Sequence, residues 1–252
     1  MNILILGHKG YLGSYLKENL TADIVDNKNN YDYIINCIGK PNLEFCEVNP
    51  HISYESNFKV VSDAIDKHPY SKLIHFSSYY VYDDIGTCTE DDNTTSAYKY
   101  CEHKLASEEI VKNSRGLVFR VGKLFGHSKI DKQCKLTEEL LLSKNIVLDD
   151  VRFNPTSLRQ VLRAVQYELD NNNLEGVFNL SNDGTPSHYE YGKFIQKHYN
   201  RDIDIVRISK HKRKFHNYGS FLMSCEKIKN MFFLDRWEDD MLYYLGELKC
   251  IV

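Results

Sequence analysis

Proline is scarce here, with 5 in 252 residues, and no stretch rich in proline and glycine interrupts the chain, so nothing reads as a tethering linker. There is also no internal repeat and no low-complexity tract. No apolar run approaches the roughly 18 to 20 residues that a bilayer-spanning helix needs, which excludes a membrane helix. The 7 cysteines are odd in number and scattered, without a C-x-x-C pair, and this excludes both a disulfide frame and a zinc site. Cys37 and Cys250 sit in apolar surroundings and are expected to pack as small hydrophobes. An excess of one charge is missing as well. With 32 basic against 35 acidic residues and a formal net charge of -3, the composition does not suit a nucleic-acid binder or a solvating tail. Met1 and Asn2 run straight into Ile3-Leu4-Ile5-Leu6, leaving no room for a signal peptide, and the expectation is a cytoplasmic protein with a small partner.

What is present is a large supply of core. Hydrophobic residues make up 42% and aromatics 12% of the chain, enough for one α/β domain or a large domain with an annex. Apolar runs alternate with helical patterns: strand 3–6, helix 11–20, strand 23–25, strand 33–38, helix 50–67, strand 72–76, helix 97–113 and strand 117–121. Tyr33-Ile34-Ile35 and Leu117-Val118-Phe119 are continuous rather than alternating, as in strands of a parallel sheet covered on both faces. The pattern predicts a doubly wound parallel (Rossmann) sheet. A helix at 132–143, a helix capped by Pro155-Thr156-Ser157 and running to 171, a strand at 177–180 and a helix at 187–199 follow less regularly. Residues 1–150 are expected to form the dinucleotide-binding part, and 151–252 mainly a smaller substrate-binding lobe built onto it.

The sheet should be shortened by one strand-helix unit. Only about seven residues separate Asp26 from Tyr33, and a helical crossover between parallel strands takes a dozen or more. An extended link of that length still reaches roughly 23 Å at ~3.3 Å per residue, enough to pass across one strand to the other half of the sheet.

Gly7-His8-Lys9-Gly10-Tyr11-Leu12-Gly13 follows the first strand and opens the first helix. Glycines there let a pyrophosphate lie against main-chain amides at a helix start, where unpaired N–H groups and the helix dipole favour an anion. Gly7, Lys9, Gly10, Tyr11, Leu12 and Gly13 are therefore candidate dinucleotide contacts. Asn36-Cys37-Ile38-Gly39 lies at the carboxyl end of a strand, where open sheets leave a ligand crevice, so Cys37, Ile38 and Gly39 should line the cofactor. Asp26 at the end of the second strand suits a ribose hydroxyl and NAD, whereas Lys9 suits a 2′-phosphate and NADP. The preference between NADP and NAD stays open.

Tyr100 and Lys104 are four residues apart, one above the other on a helix face. An ammonium beside a phenol favours its anion and makes tyrosine a general acid or base. Lowering that phenol by about three units takes about 4 kcal/mol, more than one exposed ion pair supplies, so the charge of an oxidised nicotinamide in a partly dry cleft is part of the expectation. Ser77 and Ser78 stand directly after the strand Lys72-Leu73-Ile74-His75-Phe76, upstream of Tyr100.

With the glycine turn, the serine after the fourth apolar run and Tyr-x-x-x-Lys in order, the sequence resembles the extended short-chain dehydrogenase/reductase family. Within it the likeness is to the branch of dTDP-4-dehydrorhamnose reductase and related nucleotide-sugar reductases. It runs end to end, through Ser77-Ser78-Tyr79-Tyr80-Val81-Tyr82-Asp83, Tyr100 to Glu108, Phe119-Arg120-Val121, Asn154-Pro155-Thr156, Gly176 to Ser181, Ser220-Phe221-Leu222 and Trp237. Gly7-His8-Lys9-Gly10 is similar to the turn of GDP-sugar reductases, whose basic residue meets the cofactor's extra phosphate. The resemblance implies that Ser78 holds a substrate carbonyl oxygen, Tyr100 protonates it, and Lys104 binds the nicotinamide ribose, with Val121 beside the cofactor.

Departures narrow the reading. Tyr79 stands where rhamnose-type reductases carry Asp, and the Asp-Glu pair of dehydratases is absent, which disfavours dehydration. Tyr79, Lys123, His127, Arg152 and Arg213, the last within the basic run Lys210-His211-Lys212-Arg213-Lys214, are candidate substrate contacts. The expected reaction is NAD(P)H-dependent reduction of a 4-keto nucleoside-diphosphate sugar. An epimerase of the same family and a non-catalytic regulatory subunit stay open, as does a homodimer.

Overall fold

The structure is a computed structural model and describes residues 1–25, 30–82, 86–95, 97–128, 135–199, 202–209 and 221–251. Six strands form one parallel sheet: β1 (Asn2–Leu6), β2 (Asp23–Ile24), β3 (Tyr33–Asn36), β4 (Lys72–Ser78), β6 (Leu117–Val121) and β10 (Gly176–Leu180). Their spatial order is β10-β6-β4-β3-β1-β2, and each neighbouring pair is parallel. β1 pairs with β2 on one side, Ile3 against Ile24, and with β3 on the other, Ile3 against Tyr33. β2 and β3 thus lie on opposite sides of β1, as the length of their link allowed, and among the described residues no strand-helix unit stands between them.

Helices cover both faces because the strands are apolar on both. On one face α1 (Tyr11–Asn19) and α7 (Leu158–Asn171) pack Leu12, Leu16, Val161 and Val165 against Ile3, Ile5 and Phe119. On the other, α4 (Val60–Lys67) and α5 (Lys99–Asn113) bring Val61, Ala64 and Val111 against Ile34, Leu73 and Val118. The sheet draws β10 from beyond residue 150, so the two halves of the sequence share one framework. A separate core gathers Leu140, Leu148, Tyr191, Ile195, Trp237, Met241 and Tyr244 from α6 (Lys135–Leu142), β8 (Asn145–Asp149), α8 (His188–Tyr199) and α10 (Trp237–Ile251).

Several elements depart from the sequence expectation. The strand at 33 ends at Asn36 rather than residue 38, because the Asn36 side-chain carbonyl accepts the Ile38 amide at 3.0 Å and turns the chain. The helix expected over 50–67 is divided into α3 (Pro50–Tyr54), a π-helical turn (Glu55–Lys59) and α4. It is preceded by α2 (Leu43–Val48), which periodicity did not reveal and which Asn42 caps by accepting the Phe45 amide at 2.8 Å. Ser157 does cap α7, accepting the Gln160 amide at 2.8 Å, yet Pro155–Ser157 is also a strand, β9, paired with β7 (Lys123–Phe125). Two further pairs were not foreseen: β5 (Gly86–Cys88) with β12 (Phe221–Met223), and β8 with β11 (Asp204–Ile208). Cys37 packs on the first core, but Cys250 is exposed on the last turn of α10, because the apolar face of that helix is carried by Met241, Tyr244 and Leu245.

Both edges of the sheet are short or occupied. β2 is 2 residues long. On β10, the Asn179 amide donates to Glu90 Oε1 at 2.7 Å and the Val177 carbonyl accepts from Lys227 Nζ at 2.7 Å.

The glycine turn is held by contact rather than by conformation alone. Gly7 has φ +78°, and a Cβ on Gly13 would lie 2.2 Å from the Gly7 carbonyl oxygen, so α1 can leave the turn only if residue 13 has no side chain. Gly13→Ala is expected to destabilise the protein by about 1–3 kcal/mol and to lower its melting temperature by roughly 3–10 °C, measured by thermal unfolding. A melting temperature equal to that of the parent would show that this contact is not rigid.

Candidate functional site

The first wall of the crevice is the turn from Gly7 to Gly13. The Gly10 amide donates to the Gly7 carbonyl at 2.8 Å, and no side chain among the described residues caps the start of α1. A Cβ on Gly7 would be 2.9 Å from Ile38 Cγ1 and 3.1 Å from the Cys37 carbonyl carbon, so the turn lies directly against the strap of residues 37–39. Lys9 is exposed and Leu12 and Gly13 are buried; the Tyr11 hydroxyl donates to the Gly126 carbonyl at 2.7 Å. Uncapped amides in a cradle this close to main chain fit the pyrophosphate of a dinucleotide. Asp26 falls outside the described residues.

The strap itself is pinned from behind. Asn36 accepts the Ile38 amide with its side-chain oxygen and meets His75 Nδ1 through its amide nitrogen at 3.1 Å. His75 is fully buried on β4, and burial, with the nearby Lys104 charge, lowers its pKa well below the ordinary histidine value. Neutral His75 therefore accepts at Nδ1 and carries its proton on Nε2. Asn57, from the π-helical turn, holds the far end: its Oδ1 accepts the Lys40 amide at 2.8 Å, and its main-chain oxygen accepts from Ser107 Oγ at 2.5 Å. The π turn aims Asn57 inward, consistent with such turns gathering at functional sites. Sequence reading named neither residue; the signal would have been a polar side chain at an otherwise apolar position.

Ser78, Tyr100 and Lys104 come together at the carboxyl end of β4. Ser78 is the last strand residue, and its Oγ accepts the Tyr80 amide at 3.2 Å. Tyr100, in the first turn of α5, is 3% exposed, and its phenol lies beside the Ser78 hydroxyl, which lowers its pKa against the effect of burial. One turn later Lys104, 4% exposed, donates from Nζ to the Phe76 carbonyl at 2.8 Å. A Cβ on Gly39 would lie 3.5 Å from that ammonium, which places the strap over the lysine. Val121 stands abreast of Ser78 in the β4–β6 register.

Burial dominates the electrostatics. It pushes the Lys104 amine down to about 8, only partly opposed by the Glu108 carboxylate. It pushes the Tyr100 phenol up, with the neighbouring Ser78 hydroxyl opposing. In the protein alone the phenol is thus moved the opposite way from what an acid/base role needs, in keeping with the expectation that a further positive charge must contribute. Glu108 itself is held by Arg120, whose Nη2 lies 2.7 Å from Glu108 Oε2, both buried.

The remaining candidates are dispersed. Tyr79 is buried with Tyr82, Cys88 and Met223 and stacks on Tyr80 at 4.4 Å between ring centroids. Lys123 lies just past the end of β6, with Nζ 3.3 Å from His188 Nε2. Its backbone approaches closely because a Cβ on Gly122 would fall 2.1 Å from the Asn154 carbonyl oxygen. His127 borders a small cavity with Tyr15, Arg159, Tyr243 and Glu247, between α1 and α10. Arg152 is exposed and pairs with the Thr185 carbonyl at 2.6 Å and Glu190 at 3.1 Å. Arg213 and its basic run fall outside the described residues. Among the described residues no cluster of His, Cys, Asp and Glu could hold a metal ion, and no helix is long and apolar enough to cross a membrane.

The family described as RmlD substrate binding domain matches residues 22–250, and the chain belongs to that family. Among curated proteins no sequence match was found. Among solved structures, a dTDP-4-dehydrorhamnose reductase from Clostridium acetobutylicum aligns with a TM-score of 0.85 at 19% identity, over 99% of this chain and 100% of that one. A dTDP-4-dehydrorhamnose reductase from Bacillus anthracis, in complex with NADP, gives 0.82 at 20% identity over 98% and 99%. A UDP-N-acetylglucosamine 4-epimerase from Methanobrevibacter ruminantium M1 gives 0.82 at 15% identity over 100% and 99%. These likenesses show the fold.

The lowered amine has a consequence for stability. A lysine in an unfolded chain titrates near 10.4, so between about pH 8 and 10 the unfolded state binds more protons than the native state and stability from this group rises with pH. The parent protein is expected to gain about 1–3 kcal/mol relative to Lys104→Met as pH rises from 7 to 10. Urea unfolding of both proteins without coenzyme measures this; parallel pH profiles would refute it.

Proposed function

We propose that this protein is an NAD(P)H-dependent oxidoreductase that reduces the 4-keto group of a nucleoside-diphosphate sugar. The observation that carries the reading is the convergence of Ser78, Tyr100 and Lys104 at the carboxyl end of β4, beneath the strap that faces the glycine turn. Membership of the RmlD substrate binding domain family supports it. So do the dTDP-4-dehydrorhamnose reductases that share the fold, one of them with NADP bound.

In this reading Gly7, Lys9, Gly10, Tyr11, Leu12 and Gly13 would hold the pyrophosphate of the coenzyme, and Cys37, Ile38, Gly39 and Val121 would line its nicotinamide end. Asp26 and Lys9 decide between NAD and NADP. Such a coenzyme, when bound in reduced form, would supply the hydride. The hydroxyls of Ser78 and Tyr100 donate hydrogen bonds to the ketone oxygen, so negative charge develops on an atom already facing two donors. Tyr100 transfers its proton to that oxygen. The positive charge of Lys104 one helical turn away favours the resulting phenolate, and Lys104 would hold the nicotinamide ribose. Tyr79, Lys123, His127, Arg152 and Arg213 are the substrate-side candidates, residues 151–252 supplying most of that lobe. The setting we assign is the cytoplasm.

An epimerase is the second reading, favoured by the 4-epimerase of Methanobrevibacter ruminantium M1 that matches the fold over the whole chain. It would use the same three residues but retain its coenzyme through the cycle. Coenzyme that survives purification and does not exchange with added dinucleotide would support the epimerase.

Tyr100→Phe is expected to lower kcat by about two to four orders of magnitude while leaving dinucleotide affinity within about threefold. A screen of 4-keto nucleotide sugars, followed by loss of reduced-nicotinamide absorbance with both coenzymes, provides the assay. Unchanged turnover in that variant would remove the proposed mechanism.

A further inference from the structure

The strap of residues 37–39 has little room to move. On one side a Cβ added to Gly7 would stand 2.9 Å from Ile38 Cγ1 and 3.1 Å from the Ile38 nitrogen. On the other, a Cβ added to Gly39 would meet Asn57 Oδ1 at 3.4 Å and Lys104 Nζ at 3.5 Å. The strap is therefore fitted between the glycine turn and the buried ammonium. A side chain of β3 fixes it there, and a ring on β4 fixes that side chain. Asn36 Oδ1 accepts the Ile38 amide at 3.0 Å, and Asn36 Nδ2 lies 3.1 Å from His75 Nδ1. Asn36 and His75 are direct partners in the β3–β4 register, and both are buried.

The direction of these bonds follows from the groups. A side-chain NH2 only donates, so His75 Nδ1 is the acceptor and the proton of the neutral ring is on Nε2. That Nε2 is buried and has no hydrogen-bond partner among the described residues. An orphaned donor at such depth is a cost that Phe or Leu would not carry at the same place. What the ring contributes, and an apolar side chain could not, is one lone pair facing Asn36. The lone pair decides which way the Asn36 amide points. Turned over, the amide would set its NH2 against the Ile38 N–H and its oxygen against Nδ1, donor facing donor and acceptor facing acceptor. With His75 opposite, only one orientation is bonded at both ends, and that one turns the chain at residue 38.

Cys37, Ile38 and Gly39 are the residues that would line the nicotinamide end of a dinucleotide, so the setting of the strap bears on its affinity. We infer that His75 is a positioning residue for the coenzyme: through Asn36 it holds the strap in the one setting that clears both the glycine turn and the Lys104 head group. The inference rests on the coenzyme reading above. Being fully buried, His75 touches neither coenzyme nor substrate, and its effect reaches the site along Asn36 and the Ile38 amide.

Two readouts separate this role from packing alone. The first needs no coenzyme: amide exchange of Ile38, followed by NMR in the full chain, should speed up about tenfold or more in His75→Phe, because the acceptor on Asn36 is no longer held. In His75→Asn, whose side-chain oxygen stands near the Nδ1 position, exchange should stay within about threefold of the parent. The second is calorimetric titration with NADPH or NADH, whichever the parent binds more tightly. His75→Phe is expected to weaken binding about ten- to a hundredfold, and His75→Asn to restore most of the affinity. Asn36→Ala should match His75→Phe, and the double variant should lose little more than either. ADP or its 2′-phosphate, which lacks the nicotinamide half, should bind the parent and the His75 variants within about threefold. His75→Leu takes the place of His75→Phe if melting without coenzyme shows that the phenyl ring unfolds the protein.

Unchanged Ile38 exchange, or unchanged dinucleotide affinity, in His75→Phe would overturn the inference. So would equal losses in His75→Phe and His75→Asn, or equal losses of the dinucleotide and of its adenosine half, since a general loss of packing produces both. A parent protein that binds neither NADPH nor NADH would overturn the coenzyme reading instead. Ile38 exchange would still report on His75 in that case, so the two failures are distinguishable.

Discussion

A buried ammonium hydrogen-bonded to a strand carbonyl is the contact on which the rest of the site depends. Lys104 Nζ on the Phe76 carbonyl ties the first turns of α5 to the end of β4, and this sets the Tyr100 phenol over Ser78. A charge at that depth is costly to desolvate, and one neutral hydrogen bond offsets only part of the cost. The lowered amine records the remainder. The fold tolerates it because the surrounding polar groups are tied down: Asn57 and Ser107 brace the π turn, and Glu108 is engaged by Arg120 rather than left to collapse onto the lysine.

That bracing extends into the second half of the chain. Arg120 lies over the Tyr82 ring at 4.8 Å, and the Tyr82 hydroxyl donates to Asn179 at 2.6 Å. Asn179 in turn donates to the carbonyls of Cys88 and Ser224 at 3.2 and 3.0 Å. One satisfied buried network thus joins α5, β6, β10 and the short β5–β12 pair. Such networks rigidify when complete and are damaging when broken, so residues far from the proposed chemistry share in holding its geometry.

How much of this was legible follows from what each signal depends on. The parallel strands were readable because burial on both faces leaves continuous apolar runs, as at Tyr33–Ile35 and Leu117–Phe119. The shortened sheet was readable because chain length is a hard limit on where the link after β2 can go. That Ser78, Tyr100 and Lys104 meet at the end of β4 was readable from their order and spacing. Asn57 was not, because a π turn has no period of its own and the inward aim of one side chain is set by Lys40 and Ser107, remote in sequence. His188 and Asp149 were equally hidden: a histidine opening a helix and an aspartate ending a strand mean nothing until α8 packs on β8 and brings the two side chains to 2.6 Å. The helix α10 escaped notice although Met241, Tyr244 and Leu245 recur on one face, because the acidic first turn Glu238-Asp239-Asp240 masked the apolar stripe.

The short link after β2 has a further effect at the margin of the sheet. Removing a strand-helix unit makes a 2-residue strand the border, too brief to accept a foreign strand in register. On the opposite border, β10, the Asn179 N–H is taken by Glu90 and the Val177 C=O by Lys227, and the lysine head sits 4.2 Å above the Phe178 ring. A parallel sheet assembled from distant segments is exposed to intermolecular pairing while it forms. Here a shortened strand at one rim and two side chains at the other shrink both templates for sheet-to-sheet aggregation.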